Sequence, residues 1–214
     1  MKLEAMIFDL DGTLCYVAFR AALEAFLGRR YTDAEIRALF GPSEEGVFQR
    51  LVPGRWEECL EVFLAAYERA HQAHAASFPG LEQALATLKA RGLTLGLVTG
   101  KGRRSADISL RYLGLGHYFD GVEAGSATGG VKPAAIGRLL AAWGVPADRA
   151  AYLGDVPSDV DSARKAGVIP LAAAWAPGAD AAALQARRPH ALFRTVEGFV
   201  DWVAGNLDEG QANG

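Results

Sequence analysis

The sequence predicts an α/β fold: a Rossmann-like parallel sheet core with helices on both faces, and a small all-α block inserted after the first strand. Three observations carry this. Short apolar runs such as "AMIF", "LTLGLV" and "AAYLGD" alternate with amphipathic stretches, the rhythm of a parallel sheet with right-handed crossovers. Residues 15 to about 78 show helical spacing only. Acids, a hydroxyl and a lysine fall at or just after the ends of the apolar runs, where an open parallel sheet gathers its functional groups.

Taken in order, residues 4–8 read as a short buried strand. In "AFRAALEAFLG", Phe19, Ala22, Leu23, Phe26 and Leu27 recur at helical spacing, and Gly28 can stop the helix. In "TDAEIRALFG", Thr32 and Glu35 form a capping box and Gly41 ends the segment. "SEEGVFQRLV" is a third helix, and Trp56, Leu60, Leu64 and Tyr67 mark a fourth. Pro79 and Gly80 then return the chain to the sheet. "LEQALATLKARG" is an amphipathic helix closing at Gly92, and "LTLGLVTG" is a strand. A helix over about 103–114, a short strand near "GVEAG", a helix over about 133–143, the strand "AAYLGD" and a helix from near Ser158 follow. "IPLAAAWA" reads as the final buried strand. The expected division is therefore 1–14 with 79–214 as the α/β core, and 15–78 as the helical insertion.

The chain has 214 residues, 50% of them hydrophobic and 22% charged, in the range of an ordinary globular protein. Such a length buries roughly 70% of the unfolded surface without a disulfide or metal staple. The 22 basic and 25 acidic residues leave a net charge of −3, which argues against nucleic acid or an acidic membrane as partner. Cys15 and Cys59 lack the spacing of a zinc site or disulfide scaffold, which fits a reducing cytoplasm. The opening "MKLEAMIFDLDG" carries an early acid and no long apolar core, unlike a signal peptide, and no apolar stretch reaches membrane-span length. Oligomeric state is not legible in the sequence.

The chemistry concentrates at one expected sheet edge. Asp9 and Asp11 end the first strand, Thr99 and Gly100 the second, and Lys132 opens a helix. Asp155 ends "AAYLGD", with Asp159 four residues on. Four carboxylates sharing a small site require a cation, and Mg2+ suits hard oxygen ligands. Thr99 Oγ, the Gly100 amide and the Lys132 ammonium then make a receptor for phosphate. One acid of "DLD" can attack phosphorus, and the other can manage the protons. Leu10 between them points to the opposite side of the extended chain, into the core, and Gly12 permits a sharp exit. Other residues have plainer readings. Asp161 favours a helix N-terminus, and His71 and His74 are a solvent-facing pair at helical spacing. Cys15 packs or lines a pocket.

"DLDGT", "LVTG", "VKP" and "GDVPSD" stand in the order and at the places of the four motifs of the haloacid dehalogenase-like hydrolases. The chain resembles the phosphoglycolate-phosphatase-like branch of that superfamily over nearly its whole length, with 15–78 in the place of the cap. The resemblance implies Asp9 as nucleophile and Asp11 as acid/base. It implies Mg2+ held by the Asp9 carboxylate, the Asp11 backbone carbonyl and Asp155, with Asp159 as companion, and Thr99 and Lys132 on the phosphate. Cys15–Tyr16, Gly100–Lys101 and "PAAIG" depart from the usual motif surroundings. Asp11 argues against a haloacid dehalogenase. A phosphonoacetaldehyde hydrolase needs a cap lysine, and no lysine lies between Lys2 and Lys89.

The expectation is a Mg2+-dependent phosphatase acting on a small phosphorylated metabolite, phosphoglycolate-like or a sugar phosphate, through an aspartyl-phosphate. Arg20 and Arg50 are candidates for holding a substrate carboxylate or second phosphate. A sugar-phosphate mutase is the alternative within the superfamily. Outside it the alternatives are a non-catalytic phospho-ligand binder, which has no need of both Asp9 and Asp11, and a signalling receiver, whose phosphorylated Asp lies at a later strand after an acidic pair and whose length this chain exceeds.

Overall fold

A computed structural model describes residues 2–14, 28–30, 32, 35, 39, 41–74 and 76–208. Six strands form one parallel sheet: β1 (Ala5–Phe8), β2 (Thr94–Val98), β3 (Gly121–Glu123), β4 (Ala150–Gly154), β5 (Ile169–Ala173) and β6 (Ala191–Phe193). Their spatial order is β3-β2-β1-β4-β5-β6. β1 is central, with Phe8 in register with Leu97 of β2 and Leu153 of β4. Chain order reverses direction about β1, so the crevice of the sheet opens beyond its carboxyl end.

Helices α1 (Glu44–Leu51) and α2 (Trp56–His74) precede β2 together with α3 (Leu81–Ala90). α4 (Arg103–Leu113), α5 (Lys132–Trp143), α6 (Pro157–Ala166), α7 (Ala181–Ala186) and α8 (Val196–Asp208) complete the order. The alternation of β1 decides the layers. Met6 and Phe8 face one core with Leu81, Leu85, Leu110 and Phe199 from α3, α4 and α8. Ala5 and Ile7 face the other with Ile136, Leu140 and Ala163 from α5 and α6. Leu10 is fully buried in the first core, as its position between two outward acids requires.

"IPLAAAWA" is not the last strand, as expected; β5 is followed by β6 at the sheet edge. β6 has three residues, too few for a period-2 pattern to register. The helix expected over 19–27, Arg20 and Cys15 lie outside the described residues. So does most of 32–41, but its capping box is formed. Thr32 N donates to Glu35 Oε2 at 2.8 Å, and Glu35 N donates to Thr32 Oγ1 at 3.2 Å.

α1 and α2 share a small core of their own, Phe48, Cys59, Leu60, Phe63, Leu64 and Tyr67, against which Ile108 of α4 packs. α2 runs along α4. The Tyr67 and Ser109 hydroxyls are 2.9 Å apart, Arg111 pairs with Glu68 at 2.5 Å, and Arg104 pairs with Glu61. α1 abuts the loop before α5. Ser43 N donates to Ser126 O at 2.8 Å, and a β-carbon on Gly46 would overlap the Ala127 carbonyl.

His71 is a correction. It is 1% exposed, its ring 4.4 Å from that of Tyr67 and its Nδ1 3.0 Å from the Tyr67 carbonyl. It continues the buried stripe of α2, while the side chain of His74 lies outside the described residues. Burial holds the His71 ring below its ordinary pKa.

At the neck of this helical block, Phe78 N donates to Leu14 O at 3.3 Å. Trp175 Nε1 donates to Thr13 O at 3.2 Å, and its ring lies 6.4 Å from that of Phe78.

Candidate active site

Asp9 follows β1, Thr99 follows β2, Asp155 follows β4 and Lys132 opens α5, so parallel register alone brings them to one edge. Gly12 has φ +69°, and a β-carbon there would overlap the Asp155 carboxylate. A β-carbon on Gly154 would likewise overlap the Asp159 carboxylate. Two glycines thus clear the space in which the acids meet.

Asp9, Asp155 and Asp159 each place one carboxylate oxygen within 4.8 Å of the others. Lys132 Nζ lies 2.6 Å from Asp159 Oδ1 and 3.0 Å from Asp9 Oδ1. The second contact is an ion pair without hydrogen-bond alignment, so buried Asp9 Oδ1 keeps unmet accepting capacity. Asp159 is 1% exposed, and the Tyr152 hydroxyl lies 3.4 Å from its Oδ1 while donating to Val98 O at 3.1 Å. Val156 N also donates to Asp159 Oδ2 at 3.3 Å, so this acid starts α6 as well.

The electrostatics follow from the count: three crowded carboxylates against one ammonium. Burial raises Asp9 to about 7, with Asp159 and Asp11 adding to the rise and Lys132 opposing it. Burial, then Asp9 and Asp159, raise Asp155 to about 8. Burial alone would lower Lys132, but Asp159 and Asp9 hold it well above its ordinary value. A divalent cation suits this donor set: three all-oxygen ligands, one with an unsatisfied buried oxygen, crowded enough to resist full ionisation without it.

Thr99 is 2% exposed, and its Oγ1 accepts from Lys101 N at 3.2 Å. The hydroxyl proton is then left to donate elsewhere. Gly100 sits two residues before Gly102, the N-cap of α4.

The Asp11 carboxylate stands apart from the trio. It is half-exposed, and its Oδ2 lies 3.1 Å from Lys101 Nζ. The Asp11 carboxylate is not among the three that converge. Lys101, Glu44 and Tyr152 were missed in the sequence. Lys101 follows "LVTG" directly and was legible there only as a departure from a motif. Arg50 is exposed in the last turn of α1. Asp161 lies 3.7 Å from Arg187 on the surface.

Fold and site together define an α/β enzyme whose centre is an aspartate cluster at the carboxyl edge of a parallel sheet. A family model described as haloacid dehalogenase-like hydrolase matches residues 6–173. The chain belongs to that family, in its phosphoglycolate-phosphatase-like branch, and is a phosphoric monoester hydrolase. It is 31% identical over 189 residues to a phosphoglycolate phosphatase of Pseudomonas savastanoi pv. phaseolicola, covering 79% of this chain and 69% of the relative. It is also 31% identical over 183 residues to a Caldanaerobacter subterraneus protein provisionally named pyrophosphatase PpaX, covering 82% and 83%. Among solved structures, that of a predicted phosphoglycolate phosphatase from Haemophilus somnus superposes with a TM-score of 0.81 at 19% identity, covering 95% of this chain and 99% of the other.

Proposed function

We propose that this chain is a Mg2+-dependent phosphatase that hydrolyses a small phosphorylated metabolite, phosphoglycolate-like or a sugar phosphate, through an aspartyl-phosphate. One observation carries the reading: Asp9, Thr99, Lys132 and Asp155 converge at one sheet edge, with three carboxylates balanced by a single lysine.

In this reading Asp9 is the nucleophile. One of its oxygens bonds to phosphorus as the ester P–O bond breaks. Asp11 gives its proton to the departing oxygen, then takes one from the water that attacks phosphorus. That second attack breaks the P–O bond to Asp9 and releases inorganic phosphate. Thr99 Oγ1, the Gly100 amide and Lys132 hold the phosphoryl oxygens as charge develops on them. Asp9, Asp155 and the Asp11 carbonyl would hold Mg2+, with Asp159 in support. Bound there, the cation neutralises the acids so that a phosphate anion can approach. Asp159 also aims Lys132, through their 2.6 Å pair.

Residues 15–78 act as a helical cap over a core of 1–14 and 79–214. The described cap helices α1 and α2 border the site through Glu44 and Tyr67. A small phosphate ester in the cytoplasm is the expected setting. The chain contains no described helix long and apolar enough to cross a membrane. The test is release of inorganic phosphate from a panel of phosphate esters with Mg2+, against the same panel with EDTA. Turnover of one small metabolite well above p-nitrophenyl phosphate supports the reading. Equal turnover with EDTA overturns it.

A further inference from the structure

Lys101 lies beside the site without a role in the scheme above. It is 7% exposed. Its backbone is fixed by the core: its N donates to Thr99 Oγ1, and its carbonyl accepts from Gly125 N at 2.6 Å. Among the groups its ammonium faces in the described residues are Asp11, Glu44 and Tyr67. Asp11 Oδ2, after β1, is 3.1 Å away. Glu44 Oε1, at the start of α1, is 3.6 Å away. The Tyr67 ring of α2 lies 4.7 Å from Nζ to centroid.

Glu44 is itself anchored. It is 4% exposed, and its Oε2 accepts from Gly102 N at 2.6 Å. Two acids from different elements thus converge on one ammonium, and Glu44 and Tyr67 bring α1 and α2 to it. A strongly hydrated ammonium accepts such burial only when counter-charge surrounds it. Asp11, by contrast, sits at a half-exposed position, and among the described residues Lys101 is the group that holds its carboxylate. Its orientation is set by Lys101, and the setting of Lys101 is completed by Glu44 and Tyr67.

We infer that Lys101 is a positioning residue that fixes the Asp11 carboxylate for proton transfer, and that Glu44 and Tyr67 complete its seat only while α1 and α2 are docked. The inference rests on Asp11 managing the protons. It ties the acid–base step to closure of the helical block rather than to the core alone. A purely structural Lys101 would stabilise the same contacts but would not distinguish one leaving group from another.

The experiment reads kcat/KM, which reports phosphoryl transfer to the enzyme, for two esters. p-Nitrophenolate departs as a stable anion, whereas the alkoxide of glycerol 2-phosphate needs a proton. Lys101→Met is expected to lower kcat/KM for glycerol 2-phosphate by about 30-fold or more, within the span of one acid–base contact. For p-nitrophenyl phosphate the change is expected to stay within about threefold. Lys101→Arg, which keeps the charge, should show the same pattern at a smaller size. Adding Glu44→Gln to Lys101→Met should cost little more, because both act on one contact.

Asp11→Asn is the reference. If it shows no leaving-group dependence, the proton-managing role of Asp11 fails. If it shows the dependence and neither Lys101 variant does, with both folded by circular dichroism, the Lys101 inference fails alone. Should Lys101→Met not fold, the Arg variant decides.

Discussion

Asp155 fills the volume that a side chain on Gly12 would occupy. Gly12 also holds a left-handed backbone, which costs a non-glycine residue roughly 1–2 kcal/mol by itself. Gly12→Ala must therefore push Asp155 aside as well as strain the turn. The expected outcome is a stability loss of at least about 1 kcal/mol and a fall in turnover of at least about a hundredfold, with weakened Mg2+ dependence. Chemical denaturation and Mg2+ titration of activity measure both. Wild-type Mg2+ affinity in the variant would contradict the steric account.

Asp9→Asn should lower turnover at least about a thousandfold, since an amide cannot take the phosphoryl group. It should not unfold the protein. Removing one of three crowded acids is expected to raise the melting temperature in EDTA. A variant that is both inactive and destabilised in EDTA would mean that Asp9 is structural.

Lys132→Met leaves Asp9 and Asp159 without their shared ammonium. Breaking a buried pair from one side costs about 3 kcal/mol, so the metal-free variant should unfold earlier in urea than the parent. Mg2+ should recover part of that loss, because it supplies charge to the same carboxylates. No shift in the urea midpoint would show that Lys132 does not balance the acids.

The pH dependence has a definite sign. Asp9 and Asp155, raised to about 7 and about 8, hold protons in the folded state that the unfolded chain releases near its ordinary 3.8. Stability from these groups is present at low pH and is lost as pH rises through their folded values. Each contributes a slope of up to about 1.4 kcal/mol per pH unit. In EDTA the melting temperature should therefore fall between pH 6 and pH 8.5. Mg2+, which binds the ionised acids, should raise it more at pH 8.5 than at pH 6. A rising profile in EDTA would reject the crowding.

Replacing the helical block 15–78 with a short Gly/Ser linker tests the proposed division. Turnover of the preferred metabolite should drop well below that of p-nitrophenyl phosphate, which should persist. An equal fall in both, with the core folded, would move substrate choice to the loop 100–104.

What the sequence made legible was local or periodic. Asp9, Thr99, Lys132 and Asp155 could be gathered because parallel strands place their carboxyl ends together whatever the details of packing. Leu10 could be sent to the core because a strand alternates. His71 was misjudged although it extends the series Leu60, Leu64, Tyr67 by one further helical step; its polar ring masked the period. β6 was missed because three residues carry no rhythm. The convergence of Asp11 and Glu44 on Lys101 was invisible, because it depends on how the start of α1 settles against the N-cap of α4, and side-chain pairs across elements leave no mark in spacing.

The hydrogen bond from Phe78 to Leu14 has an evolutionary reading. It pins together the two points where the chain leaves and rejoins the sheet, so the ring-closure entropy of whatever lies between is met at that staple. Closure entropy grows only slowly with length, by about 0.6 kcal/mol per doubling. A longer, shorter or unrelated insert could hang from the same two residues while β1 and β2 keep their register and the aspartate cluster its shape. On the proposed division the neck is in that sense a socket: substrate preference would be exchanged as a unit, and the chemistry beneath it need not be reinvented.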